Sequence, residues 1–177
     1  MTGVVTKRPA FCMFAAFILA IGLSYATQAQ AQSKDEQEIR ALETRFAMAF
    51  AAKDVDAIMK SYAPGDQLLV FDLITPRQYT GWDAYKKDWQ DTFALMQGAP
   101  EFDMKDLNIT TDGKLAWSHS IQHTAWTGTD GAPFEMTVRV TDCYRKIDGK
   151  WLIVLEHVSV PLDFTGPKPL PDMMSKP

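Results

Sequence analysis

Three carboxylates are the side chains best placed for chemistry. Each lies in a segment that is otherwise apolar or alternates between apolar and polar residues. Asp72 interrupts the apolar run from Leu68 to Leu73, while Asp142 and Glu156 lie in two later strand-like segments. A carboxylate buried in such a segment needs a partner, because desolvating an unpaired charge is costly. Asp72 is therefore expected to contribute to a pocket or to be held by a structural partner.

Alternation along the strand-like segments sorts these residues by face. Asp142 shares a face with Tyr144, and strict alternation places Glu156 on the same face as Val154 and opposite Ile153. The middle segment divides into Ala116, Ser118, Ser120, Gln122 and Thr124 on one face, and Trp117, His119, Ile121 and His123 on the other. Both faces carry apolar residues, so alternation alone leaves open which face lines a pocket.

The histidines do not form a set of metal ligands. His119 and His123 share one strand face, but at about 3.3 Å per residue they lie about 13 Å apart. Without a bulge they cannot bind one ion together. The sequence also lacks a Ser/His/Asp order, a Gly-rich phosphate loop and a paired-cysteine spacing. We therefore predict no metal and no cofactor.

Charge and composition restrict the classes of partner. The chain carries 18 basic and 22 acidic residues, a formal net charge of -4, and has no basic stripe. This balance argues against binding to nucleic acid or to anionic lipid. With 46% hydrophobic and 11% aromatic residues the chain is globular rather than disordered.

Residues 1–31 have the order of a secretory signal. Lys7 and Arg8 precede an apolar run from Ala10 to Leu23, and Ala29-Gln30-Ala31 forms a cleavage site. The alternative is a membrane anchor, but the run of about 14 residues is shorter than the ~20 that a spanning helix needs. We expect cleavage after Ala31, a bacterial periplasmic or secreted location, and no membrane attachment after cleavage.

The first half of the remaining chain predicts three helices. Ser33 and Glu36 have capping-box spacing, and Asp54 can cap a second, shorter helix. The third helix is expected from Trp82 to about Met96, with Asp88 among its water-facing residues. Trp89 on this helix is either a core residue or a platform for a ligand. The apolar face of the first helix comprises Ile39, Leu42, Phe46 and Phe50.

The second half predicts a meander of long strands. A slip in alternation near Lys105-Asp106 suggests a bulge, and Asp148-Gly149 is a tight hairpin signal. Helices followed by hairpins indicate an α+β domain over residues 32–160, with a Pro-rich tail at 161–177. We expect a cone-shaped roll: three N-terminal helices packed on a curved mixed or antiparallel sheet that encloses a pocket.

This order of motifs resembles the SnoaL-like branch of the nuclear transport factor 2-like superfamily. The superfamily includes ketosteroid isomerases, scytalone dehydratases, polyketide cyclases and the association domain of calmodulin-dependent kinase. The resemblance spans about residues 35 to 160. Its carriers are Asp54–Met59 with Tyr62–Pro64, Tyr79–Trp82, Arg139–Arg145, Asp148–Trp151 and Glu156-His157.

The resemblance implies roles for several residues. In SnoaL-type cyclases an Asp before an aromatic-Arg pair acts as acid/base, and Asp142 is similar to it. The Asp142 face would then be concave and Glu156 would also point inward, where two neighbouring carboxyls raise a pKa. Asp142 would be catalytic, a ligand contact, or a structural residue paired with Arg139 or Arg145.

Other pocket roles follow from the same resemblance. Tyr62 matches the place where ketosteroid isomerases put polar pocket groups, although it is equally a candidate core aromatic. Arg139 resembles the arginines with which the kinase association domain binds a carboxylate. Gln122 and Tyr144 are expected on the Asp142 side of the sheet. The catalytic pattern of the steroid isomerases is not reproduced clearly, so steroid isomerisation is not implied.

We therefore predict a domain that binds a small organic ligand. It is either a cofactor-free isomerase, cyclase or dehydratase that uses Asp142 as acid/base, or a non-catalytic ligand-binding or dimeric assembly module. A homodimer is expected because an apolar sheet face would otherwise be exposed. The residues expected on that face are Trp117, Ile121, Trp151, Ile153 and Leu155.

Overall fold

The computed structural model describes Gly3 and residues 33–161. The predicted signal segment, apart from Gly3, and the tail beyond Pro161 lie outside the described residues. No helix in the described ranges is long and apolar enough to cross a membrane.

Three α-helices form the first layer. They are α1 (Lys34–Ala51), α2 (Val55–Ile58) and α3 (Trp82–Ala94), with 3-10 turns at Met59–Ser61 and Gly65–Gln67. Both predicted N-caps are confirmed: the Ser33 hydroxyl accepts from the Glu36 amide at 3.1 Å, and Asp54 accepts from the Ala57 amide at 2.9 Å. Such caps satisfy amides that have no partner within the helix.

The C-terminal end of α3 differs from the prediction. The helix ends at Ala94, and Met96 is already the first residue of a strand, where it pairs with Gly128. Met96 is buried in the core as a strand residue, so its apolar spacing did not mark a further helical turn. Pro100 also lies within that strand.

Six strands form the second layer. They are β1 (Leu69–Phe71), β2 (Tyr79–Thr80), β3 (Met96–Thr111), β4 (Leu115–Gly128), β5 (Pro133–Ile147) and β6 (Lys150–Ser159). Their order is β2-β1-β6-β5-β4-β3, in which β1 runs parallel to β6 and the other pairs are antiparallel. The predicted α+β fold of three helices on a curved mixed sheet is confirmed.

The bulge near Lys105 and the hairpin turn at Asp148-Gly149, both predicted from the sequence, are present. The register of β3 on β4 shifts between Lys105 and Asn108, where Asp106 has a φ of 55°. The β5–β6 hairpin turns at Asp148 and Gly149, with φ values of 49° and 76°. Two successive left-handed residues are typical of the tight hairpin turn that matches strand twist.

A bulge in β6 was not predicted from the sequence. Cys143 pairs with Leu155 but Tyr144 pairs with Ile153, so Val154 is an extra residue without a partner in register. An extra residue reverses the faces of the strand on one side of it. The expected strict alternation of β6 is therefore wrong: Trp151 and Ile153 face the helices, as Glu156 does, and are 4% and 1% exposed.

The core lies between the helices and one face of the sheet. Asp142, Tyr144 and Glu156 are on this inner face, whereas Trp117 and Arg139 are exposed on the outer face. The residues of α1 that were predicted to face the core do so. The large buried side chains include Ile39, Phe46, Phe50, Ile58, Met59, Tyr62, Tyr85, Phe93, Tyr144 and Ile153.

Candidate functional site

A cavity of about 410 Å³ lies between α1, α3 and the inner face of the sheet. Its wall is mostly aromatic and aliphatic, which is typical of sites for small organic molecules. The aromatic residues are Phe46, Phe50, Tyr85, Trp89, Phe102, Trp126 and Phe134. The polar residues are Asp72, Asp88, Thr92, Gln122, Thr124 and Glu156.

Glu156 is a buried carboxyl that lines this cavity and accepts hydrogen bonds from two core tyrosines. The Tyr62 hydroxyl donates to Oε2 at 2.7 Å, and the Tyr85 hydroxyl donates to Oε1 at 2.5 Å. β6 supplies the carboxylate, the turn after α2 supplies Tyr62, and α3 supplies Tyr85. Burial raises the pKa of Glu156 to about 7, although the two tyrosine hydrogen bonds oppose that rise. A carboxyl with this pKa is partly ionised near neutral pH and can give or take a proton.

Asp142 lies beside Glu156 but deeper than the cavity. The two residues are direct partners across β5 and β6, and Ser118 is the partner of Asp142 on β4. Asp142 is 2% exposed, does not line the cavity, and within residues 33–161 its Oδ1 has no hydrogen-bond partner. Burial raises the pKa of Asp142 well above its usual range, and Glu156 and Glu43 raise it further. Asp142 therefore keeps its proton to a higher pH than a free Asp.

Glu43 completes a group of three buried acids and was missed by the sequence reasoning. It accepts a hydrogen bond from the Tyr144 hydroxyl at 2.7 Å, and that hydroxyl lies 2.7 Å from the Ser118 hydroxyl. Burial raises the pKa of Glu43 to about 7. A signal was available in the sequence: Glu43 follows Ile39 by four residues, which places it on the apolar face of α1.

The match with a known family fits this arrangement of helices, sheet and cavity. The model of the SnoaL-like domain matches residues 39–163. The chain belongs to the SnoaL-like family. It is thereby a member of the nuclear transport factor 2-like superfamily.

Solved structures agree with this assignment. A nuclear transport factor 2-like protein of unknown function from Pseudomonas putida is 30% identical, covers 80% of this chain and 96% of its own, and has a TM-score of 0.67. A ketosteroid isomerase-like protein from Erwinia carotovora atroseptica is 17% identical, covers 72% and 96%, and has a TM-score of 0.62.

A third similar structure is a nuclear transport factor 2-like superfamily protein from Salmonella enterica serovar Typhimurium. It is 20% identical, covers 72% of this chain and 92% of its own, and has a TM-score of 0.64. At these low identities the Erwinia and Salmonella proteins show a shared fold. No curated protein matches the sequence.

Four of the predicted site residues of this SnoaL-like domain line the cavity: Asp72, Trp89, Gln122 and Glu156. Asp72 accepts from the Leu73 amide at 2.5 Å, and burial raises its pKa to about 6. The Gln122 side-chain amide donates to the Ser120 hydroxyl at 3.2 Å. The Trp89 indole N–H is buried, and no described residue accepts a hydrogen bond from it.

Other predicted residues lie elsewhere. Tyr62 and Tyr144 hold Glu156 and Glu43 respectively and are not lining residues. Arg139 is exposed on the opposite face of β5, so it does not enter the candidate site. Within the described chain no ion pair joins Asp142 to an arginine, so the paired structural role considered for Asp142 is not seen.

Asp88 is a further cavity residue, and the expectation that it faces water is wrong. It is buried on α3, and its Oδ1 accepts from the Tyr79 hydroxyl at 2.6 Å. Tyr79 of the short strand β2 contacts a side of α3 that the sequence pattern of the helix marks as polar. Between residues 33 and 161, no three His, Cys, Asp or Glu side chains are arranged to hold a metal ion.

Proposed function

We propose that this SnoaL-like domain binds a small, largely apolar organic molecule and transfers a proton on it without a cofactor. An isomerase, cyclase or dehydratase would use such a step. The observation that carries the proposal is Glu156, a buried carboxyl that reaches a 410 Å³ cavity while two tyrosine hydroxyls fix its position. We assign the catalytic role to Glu156 rather than to Asp142, because Asp142 does not line the cavity.

The proposed step begins with ionised Glu156 taking a proton from a carbon of the ligand. The apolar wall supports this step, because a carboxylate with little water around it is a stronger base. Tyr85 also lines the cavity and can turn its hydroxyl toward an oxyanion that forms on the ligand once Glu156 is neutral. Asp142 acts as a positioning residue that touches Glu156 and not the ligand.

Nitrobenzisoxazole tests this base directly, because its elimination needs little more than proton removal. A base takes the ring proton, the N–O bond breaks, and a nitrile and a coloured phenolate form. We expect saturable turnover in the wild type and a loss of roughly 10²–10⁴-fold in Glu156→Gln, the usual value of a positioned general base. The matched control is Glu135→Gln, which removes an exposed carboxyl of β5 outside the cavity lining and should keep the rate. Equal rates in the wild type and Glu156→Gln would refute the proposal.

The second candidate function is ligand binding without turnover. It is favoured by the hydrogen bonding of Glu156, both of whose oxygens already accept a tyrosine hydroxyl. Saturable binding of nitrobenzisoxazole with no elimination above the uncatalysed rate would select this alternative.

We also infer a homodimer that uses the outer face of the sheet. Trp117 is 46% exposed there and lies against the His119 ring at 5.8 Å, and Ile121 and Leu155 are only partly buried. Trp151 and Ile153, which were expected on this face, belong to the core, so the proposed contact is smaller than the sequence suggested. The predicted signal segment supports a periplasmic or secreted location.

A further inference from the structure

We propose that the ligand of this cavity is an organic cation: a protonated amine carried on an apolar, ring-sized body. The inference rests on the proposed function, since it names the class of molecule that the same cavity takes. It comes from three features of the wall: its acidic groups, the absence of basic groups among the described residues that line it, and its aromatic rings.

Three carboxyl groups from three elements face one cavity. Glu156 comes from β6, Asp88 from α3, and Asp72 from the segment after β1. In the part of the chain that the structure describes, no ion pair reaches any of the three, and no Lys, Arg or His lines the cavity. A carboxylate or phosphate ligand would therefore meet acidic groups and no described basic group in this wall.

The groups that already hold these carboxyls are neutral donors. Tyrosine hydroxyls donate to Glu156 and Asp88, and a backbone amide donates to Asp72. Neutral donors fix the direction of a carboxylate without cancelling its charge. A cationic ligand would supply the missing charge, and a charge-assisted hydrogen bond is stronger than a neutral one.

Aromatic rings surround the remaining space. Trp89 lies 5.9 Å from Phe46, 5.7 Å from Phe50 and 5.7 Å from Tyr85, measured between ring centroids. All three ring pairs meet edge to face rather than stacking on one another. Aromatic faces attract ammonium groups, and this attraction grows where water is excluded.

Binding of a cation to these carboxyls should depend on pH, because their pKa values are raised. Burial raises the pKa of Glu156 to about 7 and that of Asp72 to about 6, and it raises the pKa of Asp88. A bound cation favours the ionised carboxyls, so binding must release protons when the pH is near or below these values. The affinity for an amine should therefore fall as the medium becomes acidic.

Charged and titratable neighbours act on all three groups. Glu156 faces Tyr62 and Tyr85 as well as the carboxyls of Asp72 and Glu43, and Asp142 lies beside it on β5. Around Asp88 lie Tyr79, Asp91 and Lys87, and the chief charged neighbour of Asp72 is Asp88. Lys87 is the one cation among these described neighbours. It is exposed and pairs with Asp91 at 2.6 Å, so it does not neutralise the cavity.

Three naphthalene compounds of similar shape test the inference: naphthylmethylamine, naphthylmethanol and naphthoate. Titration calorimetry and quenching of tryptophan fluorescence report binding, since Trp89 and Trp126 line the cavity. At about pH 8 we expect the amine to bind at least about tenfold tighter than the alcohol, and naphthoate to bind weakest. Calorimetry in two buffers of different ionisation enthalpy should show proton release on binding of the amine near neutral pH.

Two variants and one control locate the effect. Asp72→Asn and Glu156→Gln should each reduce the preference for the amine over the alcohol, while Glu135→Gln, at an exposed residue outside the cavity lining, should keep it. Binding of the alcohol or of naphthoate as tight as that of the amine, or no binding of the amine, would overturn the inference. These outcomes are separate from turnover: if the wild type binds the amine preferentially but shows no nitrobenzisoxazole elimination that depends on Glu156, only the proposed catalysis is refuted.

Discussion

Glu43 makes the stability of this domain depend on pH in the direction opposite to that of most acidic residues. Its carboxyl is buried, and its pKa rises from 4.5 to about 7. The folded chain therefore holds this proton more tightly than the unfolded chain does. The resulting stability is fully present below pH 4.5 and is lost as the pH rises through about 7. Each pKa unit corresponds to about 1.4 kcal/mol, so the whole change amounts to roughly 3 kcal/mol.

The variant Glu43→Gln tests this reasoning because glutamine cannot ionise but can still accept from the Tyr144 hydroxyl. We expect it to resemble the wild type at about pH 4.5, where both side chains are neutral. At about pH 8 it should be more stable by roughly 3 kcal/mol, the cost of ionising the buried acid. Urea unfolding at the two pH values measures both differences.

Glu135→Gln is the matched control, since Glu135 is exposed on β5. Its effect should be small and the same at both pH values. If Glu43→Gln differed from the wild type by the same amount at both pH values, the assignment of a raised pKa to Glu43 would be refuted.

Three further predictions concern the site and the outer face. Asp142→Asn should raise the free energy of unfolding at about pH 8 and keep nitrobenzisoxazole elimination within about tenfold; a loss of 10²–10⁴-fold would instead make Asp142 the base. Tyr62→Phe or Tyr85→Phe removes a hydrogen bond that lowers the pKa of Glu156, so the midpoint of the pH–rate profile should move to higher pH, and an unmoved midpoint would contradict the proposed base. Trp117→Glu should convert the proposed dimer to a monomer in light scattering, and a wild type that is already monomeric at micromolar concentration would refute the dimer.

Much of the fold could be predicted because local patterns and final burial agree. The capping residues Ser33 and Asp54 have partners only a few residues away, so nothing distant decides their structure. The Asp148-Gly149 turn is also local, because its backbone angles suit these two residue types. The bulge near Lys105 was visible because it interrupts an alternating pattern of apolar residues.

The candidate site was harder to predict because its members are brought together by long-range packing. Glu43 and Tyr144 are 101 positions apart, and their contact depends on how α1 lies on β5. Asp88 accepts a hydrogen bond from Tyr79 of β2, a contact that no pattern within α3 can reveal. The resemblance implied that Asp142 and Glu156 share the inner face, as they do, but it could not show that of these two only Glu156 lines the cavity.

The extra residue Val154 bears on how homologous sequences should be aligned through β6. Counting back from Glu156, a strand without this bulge would turn the residues equivalent to Trp151 and Ile153 away from the helices. A single-residue deletion here is therefore not a neutral change in length, since it exchanges core and surface over half the strand. A gap placed at this point would mark a relative in which either the residues before the gap or the inner carboxyl after it face the other side of the sheet. Insertions and deletions within these ten residues thus carry information about the site that residue identity alone does not.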